Sequence, residues 1–216
     1  MAQEKTKIKI CGITRKEDIA VLNRLCPDYI GFVFAGTKRK ITVEMAAALR
    51  AALRREILSV GVFVREPIEK IVSICRAGIL DLVQLHGDEP EDYIAEVKNR
   101  TKKPVIRAVR MRSGENILAK IETCADYLLF DAYQEGEYGG SGECFCWEEL
   151  EMAVKACLQR GKNFPVFFLA GGLNAQNAGK AIHLLHPYAL DVSSGVETDG
   201  IKDSIKMEEF VNCVRK

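Results

Sequence analysis

The sequence predicts a single-domain (β/α)8 barrel over residues 1–216, on three observations. Short apolar, β-rich runs alternate with helical segments from end to end, the pattern of a parallel sheet covered by helices. Eight such units follow one another without a linker. That favours closure, with a doubly wound open sheet as the alternative that periodicity leaves standing. Finally, the apolar runs at 166–170 and 188–192 each break into a small-residue loop, Gly171-Gly172-Leu173-Asn174 and Ser193-Ser194-Gly195. Glycine lets backbone N–H groups approach an anion closely, and a helix start adds partial positive charge. Two such loops, one helix-length apart, match a phosphate gripped between the last two strands of a barrel.

The elements follow in order. Residues 7–11 read as strand one, with helical pattern to about Leu25. Residues 29–34 are an apolar second strand, and 43–55, rich in Ala and Leu, a helix. Strand three covers 57–64, and Pro67 suits the first turn of a helix running to about Ala77. Strand four covers 80–85, with Pro90 opening the next helix. Strand five is 105–109, and 116–123 forms the core of a helix. Strand six is 127–130; after a long Gly-rich loop, 147–160 is a helix. Strands seven and eight fall at 166–169 and 189–192, with helices around 175–185 and 204–214.

The net charge is +1, from 31 basic and 30 acidic residues. That balance argues against a nucleic-acid or membrane partner held by bulk charge. The N-terminal MAQEKTKIKI has no long apolar stretch after its charges, so no signal peptide is expected. No apolar run reaches the ~18 residues of a membrane span, and a cytoplasmic setting is expected. The eight cysteines then read as reduced thiols, most of them small hydrophobes inside apolar patterns. Cys144 with Cys146, and His183 with His186, offer too few ligands for a metal.

In a barrel, chemistry sits at the C-terminal strand ends. That rule selects Cys11, the Lys38-Arg39-Lys40 run, Gln84, His86, Asp88, Arg107, Arg110, Asp131 and Asp191 as mouth residues. A thiol facing a carboxylate suits proton transfer, one group removing a proton while the other donates one. Nothing resembles a serine triad, and Gly139-Gly140-Ser141-Gly142 lacks the strand–glycine–helix spacing of a dinucleotide site.

Collinear motifs then carry a resemblance. They are KICGIT at 9–14, GFVF at 31–34, the Lys38-Arg39 pair, VGVFV at 60–64 and VQLHGDE at 83–89. YGGSGECFCW at 138–147, AGGLNAQN at 170–177 and DVSSGVE at 191–197 complete the set. Together they span nearly the whole chain, which resembles the phosphoribosylanthranilate isomerase family. One departure is Cys146 in Phe145-Cys146-Trp147, where the family has Asp; that Asp would cap the following helix.

The resemblance implies an Amadori rearrangement of a phosphosugar-anthranilate substrate in tryptophan biosynthesis, with no metal or organic cofactor. It makes Cys11 the base and Asp131 the acid. Arg39 would hold the anthranilate carboxylate, where its planar fork suits bidentate contact, from a loop expected opposite the phosphate loops. His86 orients substrate or bonds within the mouth, and Asp191 contacts substrate or tunes the site. Phosphate falls to Gly171, Gly172, Ser193, Ser194 and Gly195, with Gly140, Ser141 and Gly142 of loop six closing nearby. The chemistry is demanding. A cysteine with a pKa of about 8.5 needs nearby positive charge to supply thiolate. An aspartate near ~3.9 must be raised, by burial or a like charge such as Asp191, to stay protonated. A monomer or a homodimer is compatible with the pattern. Two alternatives remain at this point: another phosphosugar barrel, and a ligand-binding barrel without catalysis. Cys11 argues against a barrel that pairs two aspartates, and retention of both Cys11 and Asp131 argues against a non-enzyme.

Overall fold

Strands buried on both faces read as near-continuous apolar runs, yet period-two geometry still sends alternate side chains to opposite sides. In the computed structural model, which describes residues 5–36, 38–112, 114–132 and 147–216, these strands close on themselves. Among the described residues, eight parallel strands form the barrel in chain order. They are β1 (Lys7–Cys11), β2 (Tyr29–Val33), β3 (Leu58–Phe63), β4 (Leu82–Leu85), β5 (Val105–Met111), β6 (Tyr127–Ala132), β7 (Phe167–Leu169) and β8 (Ala189–Val192). β1 pairs with β8 from Lys7↔Ala189 to Ile10↔Val192. That ladder excludes the open sheet.

The helices are α1 (Lys16–Leu25), α2 (Val43–Ala52), α3 (Ile68–Arg76), α4 (Glu91–Thr101), α5 (Trp147–Gln159), α6 (Ala178–Leu185) and α7 (Ser204–Arg215). Thr42 caps α2 by accepting from the Met45 amide, and Asp203 caps α7 from the amides of Ile205 and Lys206, each satisfying donors that the first turn leaves unpaired. Pro67 and Pro90 stand one residue before α3 and α4, at the N-cap.

Two apolar clusters follow from the alternation. Ile8, Ile10, Ile30, Phe32, Leu128 and Phe130 belong to the large cluster beneath the helices. Tyr29, Val60, Leu82, Ile106, Leu129, Phe168 and Ala189 belong to a separate cluster that fills the barrel. On β1 the inward positions are therefore Lys7, at the N-terminal rim, and then Lys9 and Cys11.

The fifth unit differs from expectation. Residues 116–123 do not form a helix; one 3-10 turn, Ile117–Ala119, is all that is found there. Ile117, Leu118 and Ile121 have helical spacing, but that one turn suffices to lay them on the core. Glu91 then fixes the exit by accepting from the Cys124 amide at 2.8 Å. A second addition is a hairpin of β9 (Glu197–Thr198) and β10 (Ile201–Lys202) between β8 and α7. Asp199 and Gly200 both have positive φ, 52° and 77°, as a type I′ turn requires.

Candidate active site

The inward face of each strand decides what reaches the mouth. From β1 come Lys9 and Cys11, from β4 Gln84 with His86 just beyond it, from β6 Asp131, and from β8 Asp191. Gln84, His86, Asp131 and Asp191 are all buried. Arg110 also has inward parity and pairs with Asp88 at 3.0 Å. Arg107 does not. It is one register off and turns to the helical layer, where it pairs with Glu91 at 3.0 Å and donates to the Glu122 carbonyl. It therefore leaves the expected set of mouth residues.

Cys11 and Asp131 stand three strands apart round the barrel. Cys11 fits because β2 offers no side chain beside it: a Cβ on Gly31 would lie 2.6 Å from Cys11 Sγ. Burial pushes the Cys11 thiol above its ordinary value; Lys9 opposes this, Asp191 reinforces it, and Lys202 opposes it. The positive charge expected beside the thiol is present, but burial outweighs it. Lys9 is fully buried, and its Nζ donates to Asp191 Oδ2 at 2.7 Å. Burial depresses that ammonium, but Asp191 and then Cys11 more than reverse the effect. Asp191 is pushed up by burial against the pull of Lys9, and the nearby Asp131 carboxylate adds to the push. The two carboxyls thus share one pocket, as two acids of different duty often do.

His86 is bonded within the mouth. Its Nδ1 lies 2.8 Å from Gln84 Nε2. Its Nε2 lies 3.2 Å from Asp131 Oδ2 but is out of line for a hydrogen bond. Asp191 Oδ1 is likewise buried with no protein partner among the described residues. Orphaned polar atoms cost free energy unless something else satisfies them, and both belong to side chains of the mouth.

The loops after β7 and β8 interlock. Gly171 and Gly172 both adopt positive φ, 83° and 64°, which glycine adopts without strain. Asn177 Nδ2 donates to the Gly172 carbonyl at 2.8 Å, and Asn174 Oδ1 accepts from the Gln176 and Asn177 amides. This turn separates the glycine pair from α6, which starts later than expected, at Ala178. A Cβ on Gly195 would meet the Leu173 carbonyl oxygen at 1.8 Å, so only glycine permits this approach. Ser194 opens a short 3-10 turn, Ser194–Val196, the small extra helix that often supports a barrel phosphate site.

Arg39 does not stand opposite these loops. Its side chain crosses β1 over Gly12, where a Cβ would lie 2.5 Å from Arg39 Cδ. There it meets Glu197, with Nε at 2.8 Å from Oε1 and Nη2 at 2.6 Å from Oε2. Glu197 Oε1 also accepts from Lys202 Nζ at 2.5 Å, and Lys202 donates to the Ser193 carbonyl at 2.9 Å. Charge attraction to a residue on the β8 side therefore sets where the fork lies.

The strand-end rule selects Gln84 but not Lys9, Glu197 or Lys202, which the structure adds to the site. Signals existed for them. Lys9 shares the parity of Cys11 in KIKIC, and a charge on the inward face of a barrel strand has no water to solvate it. Asp199-Gly200 announces the hairpin that carries Glu197 and Lys202. His183 lies in the last turn of α6, while His186 is the left-handed residue that ends it, so they share no helical face. The expectations for Gly140, Ser141, Gly142 and Cys146 lie outside the described residues.

Comparison with known proteins follows this geometry. Residues 8–213 match the family described as N-(5'phosphoribosyl)anthranilate (PRA) isomerase. An N-(5'-phosphoribosyl)anthranilate isomerase of Endomicrobium trichonymphae is 49% identical over 210 residues, covering 97% of this chain and 98% of that one. The crystal structure of phosphoribosyl anthranilate isomerase from Thermus thermophilus superposes with a TM-score of 0.82 at 32% identity, covering 97% of this chain and 98% of the other. A phosphoribosyl anthranilate isomerase in complex with reduced 1-(o-carboxyphenylamino)-1-deoxyribulose 5-phosphate gives 0.78 at 32% identity, covering 97% and 98%.

Proposed function

The chain belongs to the N-(5'-phosphoribosyl)anthranilate isomerase family, and from that premise we propose how its mouth divides the reaction among its residues. The enzyme catalyses the Amadori rearrangement of N-(5-phosphoribosyl)anthranilate to 1-(2-carboxyphenylamino)-1-deoxyribulose 5-phosphate in tryptophan biosynthesis. Asp131 gives its proton to the furanose ring oxygen, the C1–O bond breaks, and the substrate nitrogen's lone pair forms an iminium. Cys11 then takes the proton from C2, and the electron pair of that C–H bond neutralises the iminium. The resulting enolamine tautomerises to the ketone. The substrate's own amine is the electron sink, so the scheme needs no cofactor.

The observation that carries this reading is the convergence of one thiol and one carboxyl, both at inward strand ends, beside two interlocked glycine loops. Those loops hold the 5′-phosphate through the backbone N–H groups of Gly172, Ser194 and Gly195, with Gly171 and Ser193 shaping the turns. Gly140, Ser141 and Gly142, outside the described residues, are assigned to the same phosphate on the strength of the family motif they belong to. Arg39 holds the anthranilate carboxylate, and Glu197 fixes the orientation of its guanidinium. His86 and Asp191 contact the sugar through the polar atoms that lack protein partners. The described site residues all come from one chain, so a monomer or a homodimer would carry complete mouths. Six described cysteines are unpaired, which suits a cytoplasmic enzyme.

A direct assay of the purified chain with N-(5-phosphoribosyl)anthranilate, in the presence of increasing inorganic phosphate, tests the assignment. Millimolar phosphate should compete with substrate and raise the melting temperature slightly, as any ligand of the native state must. Gly195→Ala forces a collision with the Leu173 carbonyl and should abolish that competition. Competition unchanged in Gly195→Ala would place the anion elsewhere.

A further inference from the structure

An ammonium inside a protein is costly unless paired, and a buried ion pair is often no more stable than apolar residues of the same volume. Lys9 is therefore poorly explained as a device for stability. It is 0% exposed within β1, two residues before Cys11 and on the same inward face. In the β1–β8 ladder it stands in register with Asp191. Its ammonium has three donors. One goes to Asp191 Oδ2 at 2.7 Å, and Cys11, two residues on and on the same face, lies close enough for the charges of ammonium and thiolate to act on each other.

We propose that Lys9 is a positioning residue for the rearrangement: anchored by Asp191, its ammonium works against the burial of Cys11 and stabilises the thiolate that accepts the C2 proton. The proposal rests on the reading of Cys11 as the base. The groups around the thiol leave this duty to Lys9. From β2 the neighbour is Gly31, which carries no charge. From β10 comes Lys202, whose ammonium is engaged by Glu197 and the Ser193 carbonyl. Arg39 passes over Gly12 and is held by Glu197. From β6 and beyond β4, Asp131 and His86 face one another. From β8, Asp191 pushes against the anion, but the pull of Lys9 on the thiol is the stronger of the two. Asp191 thus fixes the ammonium in place and also competes with the thiol for it.

That double role fixes the signs of the test. Cys11 is partly exposed to the mouth, so iodoacetamide can report its thiolate. The rate of alkylation is followed against pH on the Cys11 peptide by mass spectrometry, in the folded, substrate-free enzyme. Lys9→Met should move the midpoint up by about one unit, equivalent to a tenfold slower reaction below it. Asp191→Asn frees the ammonium for the sulfur and should move the midpoint down. Lys9→Arg keeps the charge and should stay near wild type. The acidic limb of kcat/KM should shift in the same directions. A merely structural Lys9 would leave the midpoint in place, or move it the same way in both variants, and either result overturns the proposal. Should Lys9→Met fail to fold, Lys9→Gln, which removes the charge and keeps a polar stem, is read in its place. The premise fails separately: activity retained in Cys11→Ser would remove the base, whatever alkylation shows.

Discussion

The two ends of the barrel interior are built from the same strands and the same alternation, yet they hold opposite contents. At the N-terminal end, Tyr29, Tyr127, Phe168 and Tyr188 pack ring against ring, with centroids 5.4–5.6 Å apart. Their one polar link among those described, Tyr29 Oη to Tyr188 Oη at 2.8 Å, joins two side chains that can both use it. At the C-terminal end the same inward positions carry a thiol, an ammonium, two carboxyls and an imidazole. Three polar atoms there, Gln84 Oε1, His86 Nε2 and Asp191 Oδ1, lack protein partners among the described residues. Aromatic burial with edge-to-face contacts stabilises a fold. Unsatisfied buried charge opposes it, and is retained where a reaction uses it. The difference assigns stability to one end and chemistry to the other.

The sharpest way to break this division is to exchange the consequences. Cys11→Ser and Asp131→Asn should each lower turnover at least ~100-fold, the usual scale for a general acid or base, with little change in melting temperature. Phe168→Ala should do the reverse. Removing a fully buried ring costs about 3–5 kcal/mol, or roughly 6–20 °C in melting temperature for a chain of this size. Its kcat/KM at 25 °C, per folded molecule, should stay within about twofold. Near-normal turnover in either mouth variant would remove the acid–base assignment. A collapse of turnover in folded Phe168→Ala would mean that the two ends are coupled.

The division also explains what the sequence made readable. The floor and walls of the barrel were legible because apolar runs and their parity are local properties, and the boundaries of β1 and β8 agree with the pattern to the residue. Gly171-Gly172 was legible as a loop of interest because a second small-residue loop, Ser193-Ser194-Gly195, follows one helix-length on at the next strand end. Gly195 was legible as a loop residue, but the reason it must be glycine is a carbonyl at Leu173, on a different loop. Lys9 was overlooked because a lysine inside an apolar strand reads as an edge or a register slip until a partner is found, and Asp191 lies 182 residues away. The direction of Arg39 was unreadable for the same reason, since Glu197 lies 158 residues on.

Arg39 offers a finer test, because it reaches the mouth from the rim and is not part of either filled end. Arg39→Ala should raise KM more than it lowers kcat. A lost charge-assisted hydrogen bond of ~1.5–3 kcal/mol corresponds to roughly 10- to 150-fold in affinity. The penalty should shrink for an aniline analogue that lacks the carboxylate. Arg110→Ala is the matched control, since Arg110 faces the mouth from β5 with Asp88 as partner. A larger KM effect in Arg110→Ala, selective for the carboxylate, would transfer the contact to that side.

The smallest expected effect comes from the floor. Tyr188→Phe keeps the ring stack with Tyr127 and Phe168 but removes the hydroxyl that Tyr29 meets. The bond is between neutral groups, and its net worth is about 1 kcal/mol. Tyr29 is 5% exposed, so its own hydroxyl keeps little access to water once its partner is gone. The cost should therefore be at least that of the bond, and the melting temperature should fall by roughly 2–4 °C. Tyr29→Phe should cost about the same, and the double variant less than the two summed, because removing both hydroxyls leaves none unpaired. Turnover should be indistinguishable from wild type in all three. A fall in kcat/KM that tracked the small loss of stability would show that the ring cluster sets the geometry of the mouth, and the separation of the two ends would not hold.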